Sequence, residues 1–442
     1  MNKIYNLIWN EAKNTWIAVA ENTKTRGKRA SGVLSKSVAT SLLILSSTAW
    51  AAPPVTELPT GGNVVAGQAS INQSGSVMNI NQTTNKSAVN WNTFSVGANA
   101  TVNFKQPSAN SVTLNRVQSG NASQIFGKIN ANGQVFLTNP SGAYFAPGAS
   151  VNVGGLVATT HNISNDDFMA GNYTFNRNGA EGSIINEGDL NADLEGYIAL
   201  LAPEVRNQGV IIADLGTVAL AAGESYQLQI DSNGSLTNLQ VEPATIDTLV
   251  ENGNAVRAQG GLIILSAQSI NTLQGGVINS TGNIEATGIV SRNGKIILDS
   301  GENGTSTVSG VIDVSNQNGA GGDITITAKD ILVKGTTQLL ARGSTGGGKI
   351  EVGGSWQNSD LSVKQAITTS IESGALLDAS ATENGDGGTV VAWSDITNPD
   401  SVTTVDGTIL AKAGLQSGDG GNIETSGYKI NYANATINAS SV

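Results

Sequence analysis

The chain of 442 residues has no cysteine and a single histidine, His161. Charged residues make up 13% and aromatics 5%. Each shortage excludes something. Without cysteine there is no disulfide, no thiolate metal site and no cysteine nucleophile. One histidine rules out a multi-histidine metal site and allows at most one copy of a Ser-His-Asp arrangement. The formal net charge is −11. Such a chain does not neutralise phosphates, so no nucleic-acid partner is expected. Glycine, in contrast, is abundant at 54 residues. Low charge with much Gly, Asn, Ser and Thr is one mark of disorder, but 39% hydrophobic content rich in Val and Ile argues against it. Aliphatic, β-branched and turn-rich composition points to stacked β structure.

Residues 1–51 differ from the rest. They hold seven basic residues (Lys3, Lys13, Lys24, Arg26, Lys28, Arg29, Lys36) and two acidic ones, Glu11 and Glu21. The apolar run Val38–Leu45 follows, then Ala49-Trp50-Ala51, an A-x-A cleavage pattern. The run is too short to span a bilayer as a helix. A signal peptide is expected, cut between Ala51 and Ala52. Its basic region is unusually long and carries Trp9 and Trp16. It resembles the extended signal peptide region of large bacterial autotransporters and two-partner-secretion exoproteins. That resemblance implies a Gram-negative source and export across the inner membrane by the Sec machinery.

After residue 52, apolar residues come in short alternating runs such as Val77-Met78-Asn79-Ile80 and Gln134-Val135-Phe136-Leu137, bounded by Gly, Asn or Ser. A Gly-Gly-x-Ile-x-(Val/Leu) unit recurs at Gly260-Gly261, Gly321-Gly322, Gly347-Gly348, Gly387-Gly388 and, degenerate, Gly420-Gly421. Between these units lie short aliphatic runs ending in a small or basic residue, such as Leu376-Leu377-Asp378-Ala379 and Ile409-Leu410-Ala411-Lys412. The pattern predicts an all-β fold, a right-handed parallel β-helix with short extra-helical β elements. Inward Val, Ile and Leu would stack from coil to coil. Gly and Asn would take corners that need positive φ. A repeat of ~20–25 residues predicts roughly 16–19 coils and a rod on the order of 80 Å. A β-sandwich or barrel array is the alternative, and it explains the glycine recurrence less well.

Residues 67–175 carry a more specific signal. They read Asn90-Trp91-Asn92-Thr93-Phe94, Asn115-Arg116-Val117, Gln124-Ile125-Phe126-Gly127-Lys128-Ile129 and Val135-Phe136-Leu137-Thr138-Asn139-Pro140-Ser141-Gly142. This resembles the secretion domain of filamentous-haemagglutinin-type exoproteins of two-partner secretion. The family's Asn-Pro-Asn-Gly-Ile turn is here Asn139-Pro140-Ser141-Gly142-Ala143, which keeps Asn, Pro and Gly. The family's Asn-Pro-Asn-Leu motif is not found. The resemblance implies an outer-membrane transporter barrel with periplasmic domains as partner. It makes Asn115, Arg116, Asn139, Pro140, Ser141 and Gly142 candidates for partner recognition or for structural turns. The expected organisation is 1–51 signal peptide, 52–250 secretion-type β-helix domain and 251–442 Gly-Gly-x-Ile coils. The last coils end mid-pattern, as in a piece of a longer exoprotein.

No catalytic, metal or cofactor site is expected. Asp166, Asp167, Asp189, Asp193, Glu195, Asp313 and Asp323 are scattered and read as solvated outward carboxylates. Gly385–Gly388 and Gly418–Gly421 lack the repetition of calcium nonapeptides. His161 reads as a surface or loop residue. Trp356 and Trp393 read as rings covering the solenoid, with a carbohydrate platform as the alternative. The leading functional expectation is a secreted or cell-surface adhesin that binds a host receptor or glycan. The rivals are capture of a haem-carrier protein and the stalk of a contact-dependent growth inhibition toxin.

Overall fold

The computed structural model describes residues 5–10, 15–20 and 52–442, apart from 272–274, 290–291, 433 and 442. The chain forms two units, Met1–Trp50 and Ala51–Val442. In the first, strands Tyr5–Asn10 and Thr15–Ala20 pair antiparallel.

The second unit is a parallel β-helix with three faces. A typical coil runs Thr248–Asn252, Ala255–Arg257, Leu262–Ala267. We call the faces holding these strands A, B and C. Face A is an 11-stranded sheet, and faces B and C share a 25-stranded sheet. Neighbouring coils pair in parallel register, for example Val250 with Ile278, Val256 with Ile284 and Ile263 with Ile296. These registers exclude the sandwich. Period-2 alternation decides what faces inward. On face B the inward column runs Ile129, Val151, Leu190, Ile211, Val256, Ile284, and later Ile312, Leu339, Leu377 and Ile409. All are buried, and one core cluster extends from Leu58 to Ala411 without a break at residue 250. Burying each such side chain stabilises by about 1.5–3 kcal/mol.

The coil number falls short of expectation. Face A stacks 11 strands and face B 13, from Val77–Gln82 to Thr436–Asn438, about 58 Å at ~4.8 Å per step, because many residues leave the coils. Residues 160–182 and 223–247 form an outer layer of helix Asn165–Ala170 and strands Tyr173–Asn176, Ser225–Ile230 and Leu236–Glu242. These strands make a 3-stranded antiparallel sheet. The layer covers the outside of face C and encloses a second core, with Leu114, Phe136, Val157, Tyr197 and Ala199 beneath Phe168, Phe175 and Tyr226. Phe136 meets Tyr173 edge-on at 5.2 Å between ring centres. Strand Gln134–Thr138 is therefore buried along its whole length.

Among the paired glycines Gly260 has the positive φ expected at a corner (+63°), but the recurrence of the second glycine has a different cause. Gly322, Gly348, Gly388 and Gly421 have no positive φ; each is stacked on the preceding coil's glycine. A Cβ on Gly348 would lie 2.2 Å from the Gly322 carbonyl oxygen, and one on Gly388 would lie 1.9 Å from that of Gly348. Close backbone approach, not left-handed conformation, requires glycine here. The N–H groups of Gly348, Gly388 and Gly421 donate to the carbonyls of Ala341, Ala379 and Ala411 at 2.7 Å. Those alanines are the small residues that end the aliphatic runs on face B. The two sequence units are thus the two sides of one corner.

Candidate secretion-recognition region

The sequence candidates gather where face C strands end. Asn115 and Arg116, candidates for partner recognition or for a turn, lie within strand Val112–Val117 and not in a turn. Register places Asn115 beside Leu137 and Arg116 beside Thr138, one residue before Asn139. Two motifs separated along the chain therefore sit on adjacent coils.

Asn115 occupies an inward position between Val89 and Leu137, among aliphatic side chains, and is fully buried. A lone amide there needs partners. The Trp91 Nε1–H donates to Asn115 Oδ1 at 3.0 Å, and Asn115 Nδ2 donates to the carbonyls of Thr113 and Phe136 at 3.3 Å. Arg116 points outward and fastens the outer layer. Its guanidinium donates to Asn90 Oδ1 (3.1 Å), Asn162 Oδ1 (3.2 Å), Asn165 Oδ1 (2.9 Å) and the Ile163 carbonyl (2.7 Å). Burial lowers its pKa from the ordinary value.

The Asn139–Gly142 segment is a turn. The Gly142 N–H donates to the Asn139 carbonyl at 2.8 Å. Asn139 Oδ1 accepts from the Ser141 N–H at 3.0 Å, an Asx arrangement. Asn139 Nδ2 donates to the Asn121 carbonyl and to Ser123 Oγ, both at 3.0 Å. Pro140 stays exposed at the second position. Gly142 has φ +100°, and a Cβ there would lie 2.3 Å from the Ser183 carbonyl oxygen, so only glycine fits. The Asn139 N–H donates to the Thr159 carbonyl at 2.9 Å, which ties the turn to the start of the outer layer.

His161 follows two residues later and is buried, not on the surface. Its ring nitrogens lie 3.1 Å from Thr160 Oγ1 and 3.1 Å from the Gly223 carbonyl oxygen. Its ring packs at 4.5 Å on Tyr226. Desolvation lowers its pKa to about 4, against smaller raising effects from the Gly223 carbonyl and Glu224. One imidazole thus ties the roots of both excursions together.

Sequence reasoning missed several supporting residues. Lys86 donates to the carbonyls of Phe168 and Met169 at 3.2 and 3.1 Å, at the end of helix Asn165–Ala170. There a cation meets the negative end of the helix. The Ser164 hydroxyl caps the other end by accepting from the Asp167 N–H at 3.0 Å. The Ser-x-x-Asp spacing was the available signal. Tyr197 donates to Gln134 Oε1 at 2.7 Å inside the second core.

Elsewhere, Trp393 is buried beneath residues 353–366 and donates from Nε1 to Gln365 Oε1 at 2.9 Å. Trp356 is half-buried in that same loop. Asp386 and Asp419 stack in adjacent corner loops, where Asp386 Oδ1 accepts from the Asp419 N–H at 2.8 Å. Among the described residues no group of three or more His, Cys, Asp or Glu side chains is placed to hold a metal. Ala49 and Ala51 of the cleavage pattern lie outside the described residues; Ala52 is exposed.

Comparison with known proteins agrees with this architecture. The TPS secretion domain family model matches residues 56–314, and the model of the extended signal peptide of the type V secretion system matches residues 1–50. The crystal structure of the HMW1 secretion domain from Haemophilus influenzae superposes with a TM-score of 0.77 at 30% identity, covering 87% of this chain and 99% of that one. A heme/hemopexin-binding protein of Haemophilus influenzae is 35% identical over 249 residues, 55% of this chain and 27% of that protein. A second heme/hemopexin-binding protein from that organism is 28% identical over 316 residues, 66% of this chain and 32% of that protein. The matches span about a quarter to a third of those relatives' lengths. The parallel β-helix, the outer layer on its amino-terminal coils and the leader define an exported exoprotein. The chain belongs to the two-partner-secretion family and carries its secretion domain. It is a secreted exoprotein of a Gram-negative bacterium, and its family implies a dedicated outer-membrane transporter as partner.

Proposed function

We propose that the exoprotein is an adhesin, a scaffold without enzymatic activity that crosses the inner membrane by the Sec machinery and binds a receptor or glycan on host cells. The observation behind this reading is the uninterrupted stack of coils from Leu58 to Ala411. Its uncovered outer faces present side chains at ~4.8 Å intervals along the stack. Such a surface suits many weak simultaneous contacts. In this proposal the corner formed by Asn115, Arg116 and Asn139–Gly142 is what the transporter depends on, by holding the first coils and their outer layer in one arrangement.

A second reading is capture of a haem-carrying protein, favoured by the names of the two Haemophilus relatives. His161 is buried with both ring nitrogens engaged. This reading therefore relies on the carrier's surface and not on histidine ligation of haem. The test is binding of the secreted chain to host epithelial cells and, separately, to immobilised haem-loaded hemopexin. Saturable cell binding that hemopexin does not compete supports the adhesin. Hemopexin binding without cell binding replaces it with the second reading. Absence of both overturns both for this chain.

A further inference from the structure

The outward surface of face B carries a feature that neither the secretion corner nor the core explains. Asn72, Asn79, Asn103, Asn130, Asn152 and Asn191 stand in register on six successive strands. Their inward neighbours Met78, Val102, Ile129, Val151 and Leu190 are buried, so the amides face out. Beyond Asn191 the column changes to Ile212. The ladder is thus confined to the amino-terminal strands and spans about 24 Å.

Each amide has two N–H donors and two carbonyl lone pairs. The ladder consumes only part of this. Asn103 Nδ2 donates to Asn79 Oδ1 at 3.2 Å, Asn130 to Asn103 at 3.0 Å, and Asn191 to Asn152 at 3.4 Å. Between Asn130 and Asn152 the relay breaks, because Asn152 Nδ2 turns to Ser150 Oγ at 3.0 Å. An open groove of about 630 Å³ lies over this break, lined by Asn103, Lys105, Asn130, Asn132, Asn152 and Asp193. Lysines and aspartates flank the ladder in equal number, Lys105 and Lys128 against Asp189 and Asp193, and all four are exposed. The surface has no dominant sign of charge and presents donor–acceptor pairs at the strand repeat.

We propose that this asparagine ladder is a binding surface for a neutral oligosaccharide, seated in the groove over Asn130 and Asn152. Vicinal hydroxyls both donate and accept, and so complement Asn152, with one spare N–H and one spare lone pair, and Asn130, with one spare N–H and both lone pairs. The balanced flanks give no advantage to an anionic sugar. The proposal rests on the adhesin reading and gives it a ligand class.

The test applies the secreted chain to a printed array of neutral and sialylated mammalian glycans, with host-cell binding measured in parallel. The triple variant N103T/N130T/N152T is compared with the single variant N152T, which removes the amide at the break together with its bond from Asn191, and melting curves report folding. The expected result is binding to neutral glycans that falls at least tenfold in the triple variant and at least threefold in N152T, both still melting cooperatively. If the triple variant does not fold, N152T alone decides. Equal glycan binding by the wild type and N152T overturns the proposal, as does binding confined to sialylated glycans. Host-cell binding without any neutral glycan on the array overturns the ladder and leaves the adhesin standing. Loss of both removes both.

Discussion

At the scale of single residues, His161 converts burial into a pH dependence. The unfolded chain takes up a proton near pH 6.5. The folded chain refuses it until about pH 4, because the imidazole is desolvated between Thr160, Gly223 and Tyr226. Stability is therefore full above pH 6.5 and falls as the pH drops toward 4, by about 3 kcal/mol in total. Arg177 and Glu224, paired at 2.9 Å, are the charged groups nearest this site and oppose each other. Urea midpoints measured between pH 7 and pH 4.5 should fall in the wild type. In His161→Leu they should fall by markedly less, whatever the variant's stability at pH 7. Equal slopes would show that His161 does not carry the effect. The burial itself was not legible in the sequence. The groups that enclose His161 lie some 60 positions away along the chain, at Gly223 and Tyr226. That Asn115-Arg116 lies in a strand was not legible for a related reason: its partners, Trp91 and the Asn162–Asn165 segment, lie elsewhere along the chain.

At the scale of elements, the fold was legible because one constraint repeats. From Gly133 on, the corners between faces B and C bring two backbones into contact and glycine recurs there, whereas the first two corners, residues 83–85 and 106–111, hold none. The number of coils was not legible, because a residue in a corner loop or the outer layer has the same composition as one in a coil. Residues 353–367 illustrate this: a loop with a half-buried Trp356 and a buried Trp393 beneath it interrupts the repeat without any change in Gly content. The glycine column makes a sharp prediction. Gly348→Ala places a Cβ 2.2 Å from the Gly322 carbonyl oxygen, whereas at Gly346 the nearest atom is 3.8 Å away. Overpacking against backbone should cost about 1–3 kcal/mol or more for Gly348→Ala. Gly346→Ala should stay within about 0.5 kcal/mol. Thermal melts of the two variants check this. Equal destabilisation would contradict the close-approach account of the Gly-Gly-x-Ile recurrence.

For the whole molecule, the stack of coils ties structure to export. Each coil contacts mainly its neighbours, so the helix is built to be added to one coil at a time. A cysteine-free chain has no disulfide to form before or after crossing. The amino-terminal coils carry what a starting template needs. The hairpin Ala69–Ser74 with Val77–Gln82 opens the stack, and the outer layer seals the outside of face C. The secretion family was legible at residues 90–142 because the turn chemistry of Asn139–Gly142 and the buried Trp91–Asn115 pair are unusual residues in demanding places. The asparagine ladder was not, since an outward amide in a strand looks like any other polar residue until registers align it. The central claim is that this chain is exported by a dedicated partner and folds outside as a β-helix. The most direct measurement expresses residues 1–442 in a Gram-negative host with and without the cognate outer-membrane transporter, and follows the product into the medium. The account predicts transporter-dependent release of a folded β-rich product that begins near Ala52. Release without the transporter, or retention in its presence, would contradict it.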